Sequence, residues 1–185
     1  SMEELSSVAI DDEKAGETIV DYLIEHGHTK IAEIGANLEL SQTAILRHNG
    51  YLNSFKKHGI TPDERYYERA RFSYDSAYRA KKKLLEKNIE ITAVYAISDV
   101  MAIGAIRAIL DKGLRVPEDI SITGFDGSTL AEYYNPKIVS IRQPHKDMAA
   151  RSVELLFSMI DLHKGSCHEI IPFELTEGES VARID

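Results

Sequence analysis

Short apolar runs rich in β-branched residues alternate along this chain with longer segments in which apolar residues recur every three or four positions. Lys30–Gly35, Ile91–Ile97 and Asp119–Gly124 are the clearest runs, and the segments between them have the period of amphipathic helices. Strands separated by helices form parallel sheets, because a parallel pair needs a long crossover connection. The sequence therefore predicts an α/β fold with a doubly wound, mainly parallel sheet flanked by helices. Further strands are predicted at Val8–Ile10, Arg69–Phe72, Ile138–Arg142 and Ile170–Leu175, and later helices at Thr43–His58, Asp75–Lys87, Val100–Leu110 and Pro144–Lys164.

Composition and charge exclude several classes of protein. The 185 residues are 43% hydrophobic and carry a formal net charge of −8. This supports a buried core and disfavours a surface that binds nucleic-acid phosphates. The sequence has no apolar run near the roughly 18 residues of a membrane-spanning helix. Cys167 is the only cysteine, so no internal disulfide can form. We expect a cytoplasmic protein that contacts no membrane.

Polar residues follow three of the predicted strands, at the edge where open α/β sheets bind ligands. They lie in Gly35–Asn37, Ser98-Asp99 and Gly124–Gly127, and Arg47 lies one turn into the helix after the first group. Asp126 only accepts hydrogen bonds and Arg47 is a planar fork of donors, so together they suit vicinal hydroxyls of a sugar or the edge of a heterocycle. In a simpler interpretation, Asp126 caps a turn and Arg47 forms a surface ion pair. Spacing alone favours the simpler interpretation.

The sequence motifs of catalysis are missing. The chain has no Gly-x-x-x-x-Gly-Lys phosphate loop, no Gly-x-Ser-x-Gly elbow and no Gly-x-Gly-x-x-Gly fingerprint. Its seven histidines do not form a His-Glu-x-x-His zinc motif. Cys167 and His168 are adjacent, and adjacent side chains of an extended segment point apart. We therefore expect no enzyme activity, no cofactor and no metal site.

A series of short motifs in a fixed order carries the strongest signal of identity. The motifs are Ser7–Gly16 (SVAIDDEKAG), Gly27–Ala32 (GHTKIA), Arg47–Tyr51 (RHNGY), Phe72–Tyr74 (FSY), Ser98–Gly104 (SDVMAIG), Val116–Ile122 (VPEDISI), Gly124–Asp126 (GFD) and Ile141–Pro144 (IRQP). The series resembles the successive landmarks of the lac repressor-like family. Members of that family are bacterial transcription regulators, with an N-terminal helix-turn-helix headpiece and a two-lobed sensor similar to periplasmic sugar-binding proteins. A small effector, often a sugar or a purine, binds between the lobes and alters operator affinity.

The resemblance implies that this sequence holds only part of that architecture. Residues 1–138 are similar to the second sensor lobe, residues 139–165 to a crossover strand and helix of the first lobe, and residues 166–185 to a returning strand and C-terminal tail. DNA would then be contacted only through a headpiece that is absent from this sequence. The helix in residues 139–165 would lack its docking surface, and we expect its apolar stripe to pack against a second copy.

The resemblance also assigns residues to effector binding. Arg47 matches the effector-binding arginine of the family, and Asp126 matches the carboxylate of its Gly-Phe/Tyr-Asp turn. Thr43 falls where members often supply a hydroxyl, and Phe72 falls where they often supply an aromatic face. Ser98 stands where many members have Asn, so a shorter hydroxyl replaces an amide. This departure leaves the identity of the effector open.

The helix that begins at Val100 is apolar on more than one face. One stripe can pack on the sheet while another packs against a partner. Family members dimerise through this region, where Ile103, Ile106 and Tyr134 correspond to interface positions. We therefore expect a homodimer.

Two other functions remain open from the sequence. A solute-binding protein of a transporter shares the lobe architecture, and a signal peptide upstream would indicate it. A small α/β enzyme that uses Asp126, Asp99 or His145 in acid–base chemistry is a third hypothesis. The favoured function is the ligand-sensing part of a transcription regulator.

Overall fold

Short strands and helices alternate along residues 6–162 and 166–184, the part of the chain that the computed structural model describes. This alternation confirms the predicted α/β fold. The strands are β1 (Ser7–Ala9), β2 (Ile31–Gly35), β3 (Tyr67–Arg69), β4 (Ala93–Ala96), β5 (Ser121–Thr123), β6 (Ser140–Arg142), β7 (His168–Ile170) and β8 (Glu174–Thr176). The helices are α1 (Asp12–Glu25), α2 (Gln42–Lys57), α3 (Tyr74–Glu86), α4 (Asp99–Asp111), α5 (Thr129–Glu132) and α6 (His145–Leu162).

The main sheet consists of four parallel strands in the order β3-β2-β4-β5. Every residue of β2 and β4 is buried, as expected for central strands covered on both faces. The register places Glu33 of β2 beside Tyr67 of β3 and Tyr95 of β4, so these three side chains share one face. The α2 side chain Tyr51 lies on this face and donates its hydroxyl to the Ile31 carbonyl oxygen at 2.9 Å. Helix α2 therefore covers this face.

Helices α1 and α2 pack with their backbones in direct contact. A Cβ on Gly16 of α1 would lie 2.7 Å from the carbonyl oxygen of Arg47, and a Cβ on Gly50 of α2 would lie 2.3 Å from that of Glu13. Glycine at both positions allows this close approach. The packing brings the first turn of α1, which contains Asp12, beside Arg47 of α2.

A second, smaller unit lies apart from the main sheet. Strands β1 and β7 pair in parallel with each other, and α6 packs on β1. The Ser6 hydroxyl donates to the Met159 sulfur at 3.0 Å across that contact. Large apolar side chains on the other side of α6 are each more than half exposed; they are Val153, Leu156, Phe157 and Ile160.

The predicted strand Ile170–Leu175 is wrong as a single strand. The segment forms the end of β7, which pairs with β1, and most of β8, which pairs antiparallel with β6. Pro172 lies between them, and proline has no N–H to continue a strand ladder. The division of the chain into lobes stays a prediction, and its boundary at 165 and the last two residues predicted for the helix Pro144–Lys164 lie outside the described residues.

Candidate functional site

The five residues assigned to effector binding all lie toward the carboxyl-end edge of the main sheet. Thr43 is in the first turn of α2, which follows β2, and Arg47 is one turn further along that helix. Phe72 follows β3, Ser98 follows β4 and Asp126 follows β5. The fold therefore brings together residues from four successive strand–helix connections.

Arg47 is held by contacts on several sides. Its Nε donates to Asp12 Oδ1 at 2.7 Å, and its Nη1 donates to the Ile97 carbonyl oxygen at 2.6 Å. Nη1 also lies 3.5 Å from Asp126 Oδ1, and the guanidinium carbon sits 3.5 Å above the centre of the Phe125 ring. Arg47 is only 4% exposed, so the simpler interpretation as a surface ion pair is wrong.

Asp126 occupies a backbone conformation that L-residues rarely adopt, with φ at +111°. Backbone hydrogen bonds enforce it, because the Asp126 N–H donates to the Ile141 carbonyl oxygen at 2.9 Å and the Asp126 carbonyl oxygen accepts from the Gln143 N–H at 3.2 Å. Gln143 Nε2 also donates to Asp126 Oδ1 at 2.8 Å. Burial raises the pKa of Asp126 to about 6, although the nearby Arg47 charge opposes that shift. The carboxylate, whose side chain is 32% exposed, thus lies in a partly desolvated setting.

Asp99 holds the loop that carries Asp126. Its Oδ1 accepts from the Ser140 hydroxyl and its Oδ2 accepts from the Ser128 N–H, both at 2.6 Å. Burial raises the pKa of Asp99, and these hydrogen bonds oppose the shift. A Cβ on Gly124 would lie 2.3 Å from Asp99 Oδ1, so glycine there leaves room for the carboxylate. Both carboxylate oxygens of Asp99 accept hydrogen bonds from the loop and β6. His145 is exposed at the start of α6, so the two residues do not form an acid–base pair.

The other three assigned residues differ in exposure. Ser98 is 2% exposed, and its hydroxyl accepts the Met101 N–H at 3.3 Å as the N-cap of α4. Phe72 is 47% exposed, and Thr43 is half-buried. Effector contact by these residues stays a prediction.

Three further residues complete the site and were not predicted from the sequence. Asp12 and Phe125 fix Arg47, and Gln143 fixes Asp126. Asp12 lies in the SVAIDDEKAG motif, which gives it no role. Gln143 lies in the IRQP motif, which marked it as part of the resemblance without giving it a role. Their partners are distant along the chain, so no local spacing reveals them.

The predicted dimer interface is only partly at the surface. Ile106 is fully buried in the core, so its assignment to an interface is wrong. The α4 residue Ile103 and the loop residue Tyr134 are half-buried instead. They border an open groove of about 400 Å³, whose other walls include Tyr74, Tyr78 and Arg107.

Among the described residues there is neither a cluster of metal ligands nor a membrane-spanning helix. Within residues 6–162 and 166–184, no three His, Cys, Asp or Glu side chains are placed to hold a metal ion together. In the same part of the chain, none of the helices combines the length and apolar character needed to cross a membrane.

Comparison with known proteins identifies the family. Residues 20–181 match the periplasmic binding protein-like domain. The chain belongs to this family. It is also 41% identical over 179 residues to the HTH-type transcriptional regulator MalR of Clostridium butyricum, with 97% of this chain and 53% of MalR covered. The chain thus spans about half the length of the curated relatives it matches.

Solved structures of related proteins support this family assignment. The CelR–cellobiose complex superposes with a TM-score of 0.92 at 32% identity, covering 97% of this chain and 55% of CelR. A LacI family regulator from Enterococcus faecium with bound ribose gives a TM-score of 0.90 at 26% identity, covering 97% and 67%. The resemblance to the effector-binding region of lac repressor-like regulators is confirmed.

Proposed function

We propose that this chain is the ligand-sensing part of a LacI-family transcription regulator, and that Arg47 and Asp126 anchor its effector. The effector is a sugar or a nucleobase-like molecule bound between two lobes. The relatives support a regulator over a transport protein or an enzyme, because those it matches are transcription regulators. The solved relatives described with cellobiose and ribose support a sugar.

The pairing of Arg47 with Asp126 is the observation that carries this proposal. Among the described residues, neither Arg47 Nη2 nor Asp126 Oδ2 has a hydrogen-bond partner, while the remaining atoms of both groups are engaged. Two neighbouring hydroxyls can accept from Nη2 and donate to Oδ2 at once. Because Asp12, Phe125 and Gln143 hold the pair in place, little side-chain entropy is lost when the effector binds.

In this proposal the effector controls operator binding through a DNA-binding headpiece outside this sequence. The regulator acts as a homodimer in the cytoplasm, where its operator is. Ile103 and Tyr134 border the groove that would form the dimer interface, and the apolar walls of that groove suit a second copy.

Nuclear magnetic resonance titration of the 15N-labelled chain tests the effector site. Maltose, cellobiose, ribose and adenosine are added separately, and we expect one of them to shift the amides of Phe125, Asp126 and Gln143 saturably. The affinity will be weak, because this chain supplies only one wall of the cleft. Arg47→Ala should abolish these shifts, and Arg115→Ala, which alters an exposed arginine paired with Asp119, should not. Equal shifts in wild type and Arg47→Ala would contradict the proposal.

A further inference from the structure

A second cavity lies beside α2, and none of the five residues assigned to effector binding lines it. It measures about 310 Å³, within the size range of small-molecule sites. Its walls come from β2, α2 and the edge strand β3. Arg47 and His48 are consecutive on α2 and therefore point about 100° apart, since the helix has 3.6 residues per turn. Arg47 faces Asp126, whereas His48 lines this cavity.

A buried carboxylate forms one wall of the cavity. Glu33 is 2% exposed, and its Oε2 lies 2.7 Å from His48 Nδ1. Its Oε1 has no hydrogen-bond partner among the described residues. That oxygen lies beside Gly35, where a Cβ would be 3.0 Å from it, and both residues line the cavity. Burial raises the pKa of Glu33, and the hydrogen bond with His48 opposes the shift. Oε1 therefore keeps its capacity to accept a hydrogen bond from a molecule in the cavity.

The remaining walls carry both donors and acceptors. Arg69 of β3 contributes a guanidinium and Leu38 contributes apolar surface. Tyr67 of β3 also lines the cavity, but its hydroxyl is buried. Glu64 adds a carboxylate at the exposed rim. The wall residue Glu68 is already paired with Lys87 at 2.9 Å. A cationic amine would meet Arg69 in this cavity, whereas a hydroxyl can both donate to a carboxylate and accept from a guanidinium.

We propose that this cavity binds a small polyhydroxylated molecule, one hydroxyl of which donates to Glu33 Oε1 while another accepts from Arg69. The site is separate from the Arg47–Asp126 pair and does not depend on the function proposed above. Its occupant contacts the same helix that positions Arg47, so it can bias the effector site through α2.

Two parallel nuclear magnetic resonance titrations test the proposal, one with myo-inositol and one with putrescine. We expect myo-inositol to shift the amides of Gly35, His48 and Tyr67 saturably, and putrescine to leave them unchanged. Asp126→Asn should keep these shifts, which separates this cavity from the effector site. Shifts confined to the effector site, or produced by putrescine alone, would overturn the proposal.

Gly35→Ala tests the role of the free carboxylate oxygen. Gly35 does not have a positive φ, so alanine fits its backbone while its methyl group crowds Oε1. We expect the affinity for myo-inositol to fall about tenfold or more, as for loss of a hydrogen bond to a charged group. Glu33→Gln is the alternative variant if Gly35→Ala does not fold, and Glu39→Gln, at an exposed loop residue, is its matched control. Unchanged affinity in the folded variant would overturn the proposal.

Discussion

The carboxyl-end edge of the main sheet and the outer face of α6 are opposite in character. At the sheet edge, Arg47 is a charged residue that is 4% exposed and has protein partners on several sides. On α6, Leu156 and Phe157 are apolar residues that are 57% and 59% exposed. The first region holds its charged groups by several contacts within the chain and leaves only Arg47 Nη2 and Asp126 Oδ2 without a partner among the described residues. The second region leaves apolar area uncovered.

Because of this difference, we expect substitutions in the two regions to affect different properties of the chain. A substitution at the sheet edge or in the core removes contacts that the folded chain makes, so its cost appears in the free energy of unfolding. A substitution on the outer face of α6 removes no such contact. Its effect appears in association, because burying apolar area is favourable by roughly 25 cal/mol per Å².

Truncating one isoleucine in the core and one on α6 should give the largest difference in the free energy of unfolding. Ile106 of α4 is fully buried and Ile160 of α6 is 58% exposed. Ile106→Ala should lower the free energy of unfolding by about 2–5 kcal/mol, because it leaves a cavity in the core. Ile160→Ala should change it by less than about 0.5 kcal/mol. Urea denaturation measures both, and equal costs would show that the two helices are packed alike.

Truncating one buried and one exposed carboxylate should give the next largest difference in the free energy of unfolding. Asp99→Ala removes the acceptor of the Ser140 hydroxyl and the Ser128 N–H, and we expect a loss of about 2–3 kcal/mol in unfolding free energy. Glu154→Ala breaks an exposed pair with Arg151 on α6 and should cost less than about 0.5 kcal/mol. A loss below 1 kcal/mol for Asp99→Ala, on the order of a single neutral hydrogen bond, would contradict its role in holding the loop.

The pH dependence of stability should reveal the desolvated state of Asp126. Burial raises the pKa of Asp126 from 3.8 to about 6, so in that range the folded chain binds a proton that the unfolded chain has released. Asp126 therefore lowers the free energy of unfolding as pH rises through this window. Asp126→Asn should remove about 1 kcal/mol of that decline between pH 4 and pH 7, allowing for partial exposure. Identical pH profiles for both proteins would show that the carboxylate is solvated.

Substitutions on the outer face of α6 should have the smallest effect on the free energy of unfolding. We expect the double variant Leu156→Ser/Phe157→Ser to unfold within about 0.5 kcal/mol of wild type. The wild-type chain should associate at micromolar concentration through this face, and the double variant should associate less. Sedimentation measures the mass, and Ile103→Ser tests separately whether the groove beside α4 also contributes to association. An unchanged mass in the double variant would remove α6 as the contact.

The sequence predicts the order of strands and helices better than it predicts the side-chain contacts between them. Periodicity places β2, β4 and β5 and the helices α2, α3 and α4, because that signal is local and repeated. The edge strand β3 overlaps the predicted strand Arg69–Phe72 only at Arg69. Periodicity misses the break at Pro172, where two short strands join different sheets. The resemblance assigns Ile106 to a dimer interface, whereas the stripe of α4 that contains Ile106 faces the core. Asp12 and Gln143 become visible only when the fold brings them to Arg47 and Asp126.

Titration of Arg47→Ala and Asp126→Ala with the saccharide or nucleoside that shifts the Asp126 amide tests the account most directly. Removing either group deletes a charged hydrogen-bond partner of the bound effector. Each variant should therefore lose about 2–4 kcal/mol of binding free energy, a roughly thirty- to thousand-fold drop in affinity. Affinities within threefold of wild type for both variants would contradict the claim that this pair anchors the effector.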